Sequence, residues 1–354
     1  MYLVGLGTAA PSTRYTKSEC WAAFCRSEWS TRLSARARAI VRAVLQNENG
    51  IEARRLALDC LDEVFRIDPQ TLHRRFLGAA PALASQAADA ALRSARLAAA
   101  DIDALVVSTC TGYLCPGLSG YVIERLGVRS DVLAFDLVGH GCAAALPNLR
   151  LGHALIDSGQ CRNVLSVCVE VSSAAMFLDE DPGVLVSACL FGDGAGAAVL
   201  SGSERSGRRR IAWRDSESLT EPVHRGALRF ELRDGMLRNV LTRQVPELSA
   251  DCAERVLAEV LRRAELPASR IAAWILHAGG RDVLRALASR LGLAERDVRY
   301  SAAVLREYGN LSSAFVYFVL EAALADGAPA GWWWLASFGA GFSCHGALLE
   351  VGSG

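Results

Sequence analysis

Three side chains able to carry acyl chemistry stand at the ends of apolar runs: Cys142, His277 and Asn310. Cys142 follows an apolar run at 132–135 and the turn Gly139-His140-Gly141. From it a second apolar run with helical spacing extends to a stop at Ser158-Gly159. A thiol at a helix start meets unpaired N–H groups and the positive end of the helix dipole. Both favour its thiolate, which is the nucleophile. A small core site accepts a free cysteine equally well, so this stretch alone leaves both roles open. His277 ends the run 271–276 and precedes Ala-Gly-Gly, a turn in which backbone can approach a ligand closely. Asn310 closes Glu307-Tyr-Gly-Asn, ahead of a helix beginning at 312–313. A single His in such a turn is more often structural, and a single Asn there is more often a helix cap. Three such residues in matching settings, at the strand and helix ends where α/β proteins place their sites, point together to chemistry.

Positioning them takes alternating strands and helices. The first half reads as a strand at 2–6, a turn at 7–11, and a helix at 20–47 with arginines 32, 36, 38 and 42. An Ala-rich helix at 82–97, a buried strand at 102–109, a helix at 121–126 and the strand 132–137 follow. Strands at 163–171 and 195–200 come next, and the polar, basic stretch 202–210 is the best boundary in the chain. Beyond it lie a helix at 250–264, a strand at 271–276, helices at 281–291 and 313–324, and strands at 332–338 and 345–351. This alternation argues for an α/β protein. Similar layouts on both sides suggest two like halves, 1–205 with the cysteine and 206–354 with the histidine and asparagine, although no sequence repeat is visible.

The chain has 354 residues, 51% of them hydrophobic, and a formal net charge of zero, so nothing points to nucleic acid as a partner. Its basic residues are almost all arginine, with Lys17 the only lysine, which reads as codon bias. Eleven cysteines without a C-x-x-C pair fit a reducing cytoplasm better than disulfides or a zinc site. The N-terminus does not read as a signal peptide, and no apolar run approaches the ~18 residues of a membrane span. Gly192-Asp-Gly-Ala-Gly reads as a structural turn, Trp332-Trp-Trp as core strand or interface, His140 as a turn residue able to tune the thiol, and Arg208-Arg-Arg as a solvated loop.

The whole chain resembles the type III polyketide synthases, relatives of chalcone and stilbene synthase. The resemblance rests on GLGTAAPSTRYT, STCTGYLCPG, GCAAALPNLRL, VCVEVSSAAMF, LFGDGAGAAVL, WILHAGG, EYGNLSSAFVYFVL and SFGAGF, in the family's order and spacing. It implies the thiolase fold, a five-layered αβαβα arrangement of two similar packed halves, and a homodimer. Cys142 then looks like the acceptor of a starter acyl group, and His277 and Asn310 like the pair that activates the thiol and polarises malonyl thioester during decarboxylative condensation. Cyclisation to a pyrone or phenolic product would follow. No cofactor is implied beyond malonyl-CoA and acyl-CoA or acyl-carrier thioesters as substrates. Phe191 matches a gatekeeper. Thr111, Cys115, Ser172, Ala175 and Ser312 match the elongation cavity, Cys115 reaching the partner's cavity. Phe338 and Gly339 open a loop like the family's cyclisation loop, preceded by Ser337 where the family usually has Gly.

Departures sharpen the expectation. A second gatekeeper, aromatic in plant members, falls near Asn239. The basic positions that grip CoA phosphates fall on Val41, Val44 and Glu48, with Arg42, Arg54 and Arg55 nearby, which leaves room for an acyl carrier protein. Small residues at Ser172 and Ala175 imply a cavity deeper than that of chalcone synthase. The alternative within the fold is a single-condensation ketoacyl synthase III; Phe191 and EYGNLSSA favour the polyketide branch. A papain-like protease would bring secretion, disulfides and a Trp after the nucleophile motif. A non-catalytic subunit would have lost one of the three residues.

Overall fold

The computed structural model describes residues 1–205 and 209–353. Its strands are β1 (Tyr2–Ala9), β2 (Arg14–Thr16), β3 (Ala53–Arg55), β4 (Ala104–Ser108), β5 (Leu133–Leu137), β6 (Asn163–Val171), β7 (Asp193–Ser201), β8 (Ile211–Thr220), β9 (Leu228–Arg233), β10 (Met236–Leu241), β11 (Ile271–Leu276), β12 (Gly331–Gly339) and β13 (Ser343–Val351). Its helices are α1 (Lys17–Arg26), α2 (Trp29–Arg32), α3 (Ala35–Gln46), α4 (Pro69–Ala95), α5 (Leu118–Leu126), α6 (Ala145–Asp157), α7 (Pro182–Leu190), α8 (Val245–Arg263), α9 (Arg281–Leu291), α10 (Arg299–Tyr308) and α11 (Phe315–Ala325).

Mainly apolar runs become inner strands; β6 and β7 are buried at every residue, Asn163, Ser166, Glu170 and Asp193 included. Nine strands pair in the order β11-β12-β13-β8-β1-β7-β6-β4-β5. Outward from β1 the pairings with β7, β6 and β4 run antiparallel, antiparallel and parallel. Outward from β8 the pairings with β13, β12 and β11 repeat that sequence. Two similar halves therefore meet where Tyr2 pairs with Ala212. Helices α6 and α11 each touch strands of both halves and form the central layer. Helix α4 covers β1, β6 and β7 outside one half, and α8 covers β8, β12 and β13 outside the other. This is the five-layered αβαβα fold.

Close packing depends on glycine where α4 crosses β1. A Cβ at Gly5 would lie 2.3 Å from the Ala91 carbonyl oxygen, and one at Gly7 2.4 Å from that of Ala87. The alanines of α4 thus seat directly on the strand backbone.

Several elements differ from the expectation. The helix expected over 20–47 is α1, α2 and α3: Ser27 and Leu33 adopt extended backbone, and the Ser34 hydroxyl accepts the Ala37 N–H at 3.1 Å, so a new helix starts there. Helix α4 begins at Pro69, capped by Asp68, and runs through a buried Pro81, well before the expected start at 82. Strand β1 continues to Ala9, through the expected turn. Helices α7 and α10, strand β8 and the hairpin β9–β10 were not anticipated. Trp333 and Trp334 are wholly buried core. The expected boundary at 205/206 and Arg208 fall on residues 206–208, outside the described residues. Arg209 lies 5.0 Å over the Trp333 ring and Arg210 pairs with Glu350 at 3.3 Å, so these two are tied down rather than solvated. Among the described residues no helix is long and apolar enough to cross a membrane.

Candidate active site

Strand β5 delivers the chain to a tight turn in which Gly139 and Gly141 have φ +94° and +53°. Cys142 follows, buried, within a single turn of 3₁₀ helix (Gly141–Ala143) that leads into α6. Across this turn lies the end of β12. The Ser337 hydroxyl donates to the Ala143 carbonyl at 3.0 Å, and a Cβ at Gly339 would come within 2.4 Å of the His140 carbonyl oxygen. Phe338 and Gly339, expected to open a loop, are the last paired residues of β12, and only glycine lets this strand end press so closely on the cysteine turn.

His277 follows β11 and prolongs its pairing with β12, donating its backbone N–H to the Ala336 carbonyl at 2.9 Å. Its ring stands edge-on to Phe315 and Phe338, at centroid distances of 5.3 and 5.0 Å. Burial pushes its pKa down to about 3, so the imidazole is neutral.

Asn310 is held on every side. Its N–H donates to the Leu190 carbonyl at 2.9 Å, and its own carbonyl accepts the Gly192 N–H at 3.0 Å. Its side-chain Oδ1 accepts the Ser312 N–H at 2.8 Å, which orients the amide, and Nδ2 donates to the Gly279 carbonyl at 3.2 Å. A carboxamide has two N–H donors, so one is left over. Cys142, His277 and Asn310 all line one cavity of about 640 Å³, together with Phe191 and Phe338.

Burial pushes the Cys142 thiol up to about 12, opposed by the Ser312 hydroxyl, which donates to Sγ at 3.3 Å. The expected thiolate, stabilised at a helix start, is therefore not the resting species: desolvation outweighs the helix end. Ser312 Oγ also lies 3.2 Å from Glu170 Oε1 and 3.3 Å from Cys110 Sγ. Glu170 is a wholly buried carboxyl on β6. Burial raises its pKa against donors that include the Ser313 and Thr111 hydroxyls and the Cys110 N–H.

Beyond Phe191, which lines both spaces, is a second cavity of only about 30 Å³. Thr111, Ser172, Ala175 and Ser312 line it, as expected for one pocket. The expected depth is absent: the cavity is small, and Met176, Phe177 and Phe230 form its wall alongside the small residues Ser172 and Ala175. Cys115 is exposed and lines neither cavity.

Cations at the large cavity also differ from the expected ones. Val41 is buried, Arg42 bonds Gln46, and Arg55 pairs with Glu307 at 2.8 Å. Arg54 is buried and donates to the Ala188 and Phe191 carbonyls at 2.8 and 3.2 Å. Arg36, Arg243 and Arg281 line the cavity instead. Glu170, Arg243 and Arg281 escaped the sequence reading, and Arg54, read there as a cation near the CoA positions, is a buried backbone clamp; of the missed residues only Glu170, a lone carboxylate in an otherwise uncharged strand, carried a visible signal.

Two family descriptions match the chain: "FAE1/Type III polyketide synthase-like protein" over residues 39–272, and "Chalcone and stilbene synthases, C-terminal domain" over 218–351. A 3,5-dihydroxyphenylacetyl-CoA synthase of Amycolatopsis balhimycina is 34% identical over 75% of this chain and 72% of its own. A 1,3,6,8-tetrahydroxynaphthalene synthase of Streptomyces peucetius subsp. caesius is 31% identical, over 97% of this chain and 91% of its own. The crystal structure of PKS-I from the brown alga Ectocarpus siliculosus superposes with a TM-score of 0.89 at 26% identity, covering 98% of this chain and 97% of that one.

Proposed function

The chain belongs to the type III polyketide synthase family, decarboxylating acyltransferases of thiolase fold, and we propose that Cys142, His277 and Asn310 carry its chemistry. The observation behind this reading is their convergence on the wall of one cavity of about 640 Å³. Cys142 attacks the thioester carbonyl of the starter, and neutral His277 takes the thiol proton and returns it to the departing carrier thiol. Malonyl thioester then docks with its carbonyl oxygen toward the spare N–H of Asn310 and the imidazole N–H. Loss of carbon dioxide leaves the electron pair on an enolate whose oxygen these donors meet. The enolate carbon attacks the acyl carbonyl on Cys142: a carbon–carbon bond forms, the carbon–sulfur bond breaks, and the chain is two carbons longer. Repetition and ring closure give a phenolic or pyrone product.

CoA is the carrier this cavity suits. Arg36 and Arg243 line it without a carboxylate partner among the described residues, ready for phosphate oxygens. An acyl carrier protein in place of CoA would leave turnover of malonyl-CoA negligible. A homodimer through β5 accounts for that strand's position at the sheet edge and for exposed Leu133, Val138 and Tyr113 around it. Light scattering that gave a monomer with full activity would remove this assignment. Eleven free cysteines suit a reducing cytoplasm.

The test separates the steps. Peptide mapping after incubation with acyl-CoA should find the acyl group on Cys142. Asn310→Ala should still load a starter yet release carbon dioxide from malonyl-CoA on the order of a hundredfold more slowly. Acyl transfer to another cysteine, or equal loss of both steps, overturns the assignment.

A further inference from the structure

The small cavity beyond Phe191 contains two polar atoms that the protein leaves unpaired. Asn239 Oδ1 and Ser172 Oγ both line it, both are shielded from solvent, and neither has a hydrogen-bond partner in the protein. Asn239 is 8% exposed, fixed on β10 opposite Phe230 of β9. The hairpin lies against α7 and the turn Ser172–Ala175, so the carboxamide and the serine line this cavity from separate elements. Buried polar groups are ordinarily paired, and an orphaned acceptor in a cavity marks where a ligand's donor belongs.

We infer that Asn239, with Ser172, forms a hydroxyl-binding cradle that selects oxygenated acyl chains over plain alkyl chains. The inference rests on the proposed condensation chemistry and adds the substrate class. A carboxamide oxygen only accepts, so the matching group is a hydroxyl or the enol form of a β-ketone; the serine hydroxyl can accept or donate alongside it. About 30 Å³ holds one hydroxyl-sized group, not an aromatic or a long alkyl tail. An alkyl chain pushed into this space would strip the two polar atoms of any partner, which a pocket rejects more strongly than a missing methylene. A water molecule has the same hydrogen-bonding chemistry, and the experiment separates the two occupants.

Purified enzyme is given malonyl-CoA and one of four starters: 3-hydroxybutyryl-CoA, pentanoyl-CoA, 5-hydroxyhexanoyl-CoA or heptanoyl-CoA. Extended products are quantified by mass spectrometry as kcat/KM. The hydroxylated member of at least one pair should be favoured about ten- to a hundredfold. Asn239→Leu should bring that ratio near one, and Ser172→Ala should lower it independently, so the conclusion does not hang on one variant folding. Wild-type ratios near one, or a preference unchanged in both folded variants, make the cradle a water site only and overturn the inference while the condensation reading stands. No extended product from any starter or from malonyl-CoA alone overturns both.

Discussion

Phe191 and Asn310 are joined by an isolated parallel β-bridge, with the Gly192 N–H on the Asn310 carbonyl and the Asn310 N–H on the Leu190 carbonyl. The side chain dividing the two cavities and the amide facing the larger one therefore share a backbone, and a shift in either is felt by the other. Arg54 holds this assembly from behind through the Ala188 and Phe191 carbonyls.

Removing that clamp should show in two measurements. Arg54→Leu leaves two carbonyls without a donor and should destabilise the fold by about 2–4 kcal/mol in a denaturant titration. Because the displaced segment carries Asn310, carbon dioxide release should fall further than starter loading. Equal loss of both, in a protein of unchanged stability, would contradict the role.

Ser312 has φ +49°, a left-handed backbone that L-residues resist. Two substitutions separate backbone from hydroxyl. Ser312→Gly and Ser312→Ala should both slow loading of Cys142 by about tenfold, through loss of one hydrogen bond to sulfur. The glycine variant should be more stable than the alanine variant by roughly 1 kcal/mol, since only glycine adopts this φ freely. Equal unfolding midpoints would refute the strain.

Alkylation reports the thiol. With Cys142 pushed up to about 12 by burial, its inactivation by iodoacetamide should rise about tenfold per pH unit from pH 7 to pH 10. A plateau below pH 8 would mean an ion pair already formed with His277, against the neutral pair described above.

Acid stability reports the imidazole. His277 is held near 3 and His345 near 4, both by burial, below the ordinary histidine value of about 6.5. Each is neutral when folded and gains a proton on unfolding, so the stabilising contribution is present above about pH 6.5 and is lost as pH falls toward those values. His277→Asn should flatten the decline between pH 6.5 and 4 by up to about 1.4 kcal/mol per pH unit. A decline as steep as that of the parent would show that His277 is solvated.

Much of this was legible in the residues themselves. Strands 163–171 and 271–276 coincide with β6 and β11 because each is a mainly apolar run buried along nearly its whole length. Cys142, His277 and Asn310 stand out because each closes or opens such an element. Other features depend on partners distant in the chain. Arg54 has meaning only against carbonyls 134 and 137 residues away. Asn239 becomes informative only when the hairpin brings it to the cavity that Ser172 also lines. The depth expected of the inner pocket failed for the same reason: the wall opposite small residues is set by distant ones, and Phe230 of the hairpin is part of it.

The matching order of strands puts α6 and α11 in equivalent places, each introduced by one turn of 3₁₀ helix, Gly141–Ala143 and Ser312–Ala314. Gly141 and Ser312 open these two turns, both with positive φ (+53° and +49°), and the Ser312 hydroxyl reaches the residue after its counterpart, Cys142, at 3.3 Å. If an ancestral gene was doubled, one turn was inherited twice and diverged into the seat of a nucleophile and the source of the hydroxyl that serves it. Two copies of an original centre have become one, with its parts shared out between the descendants.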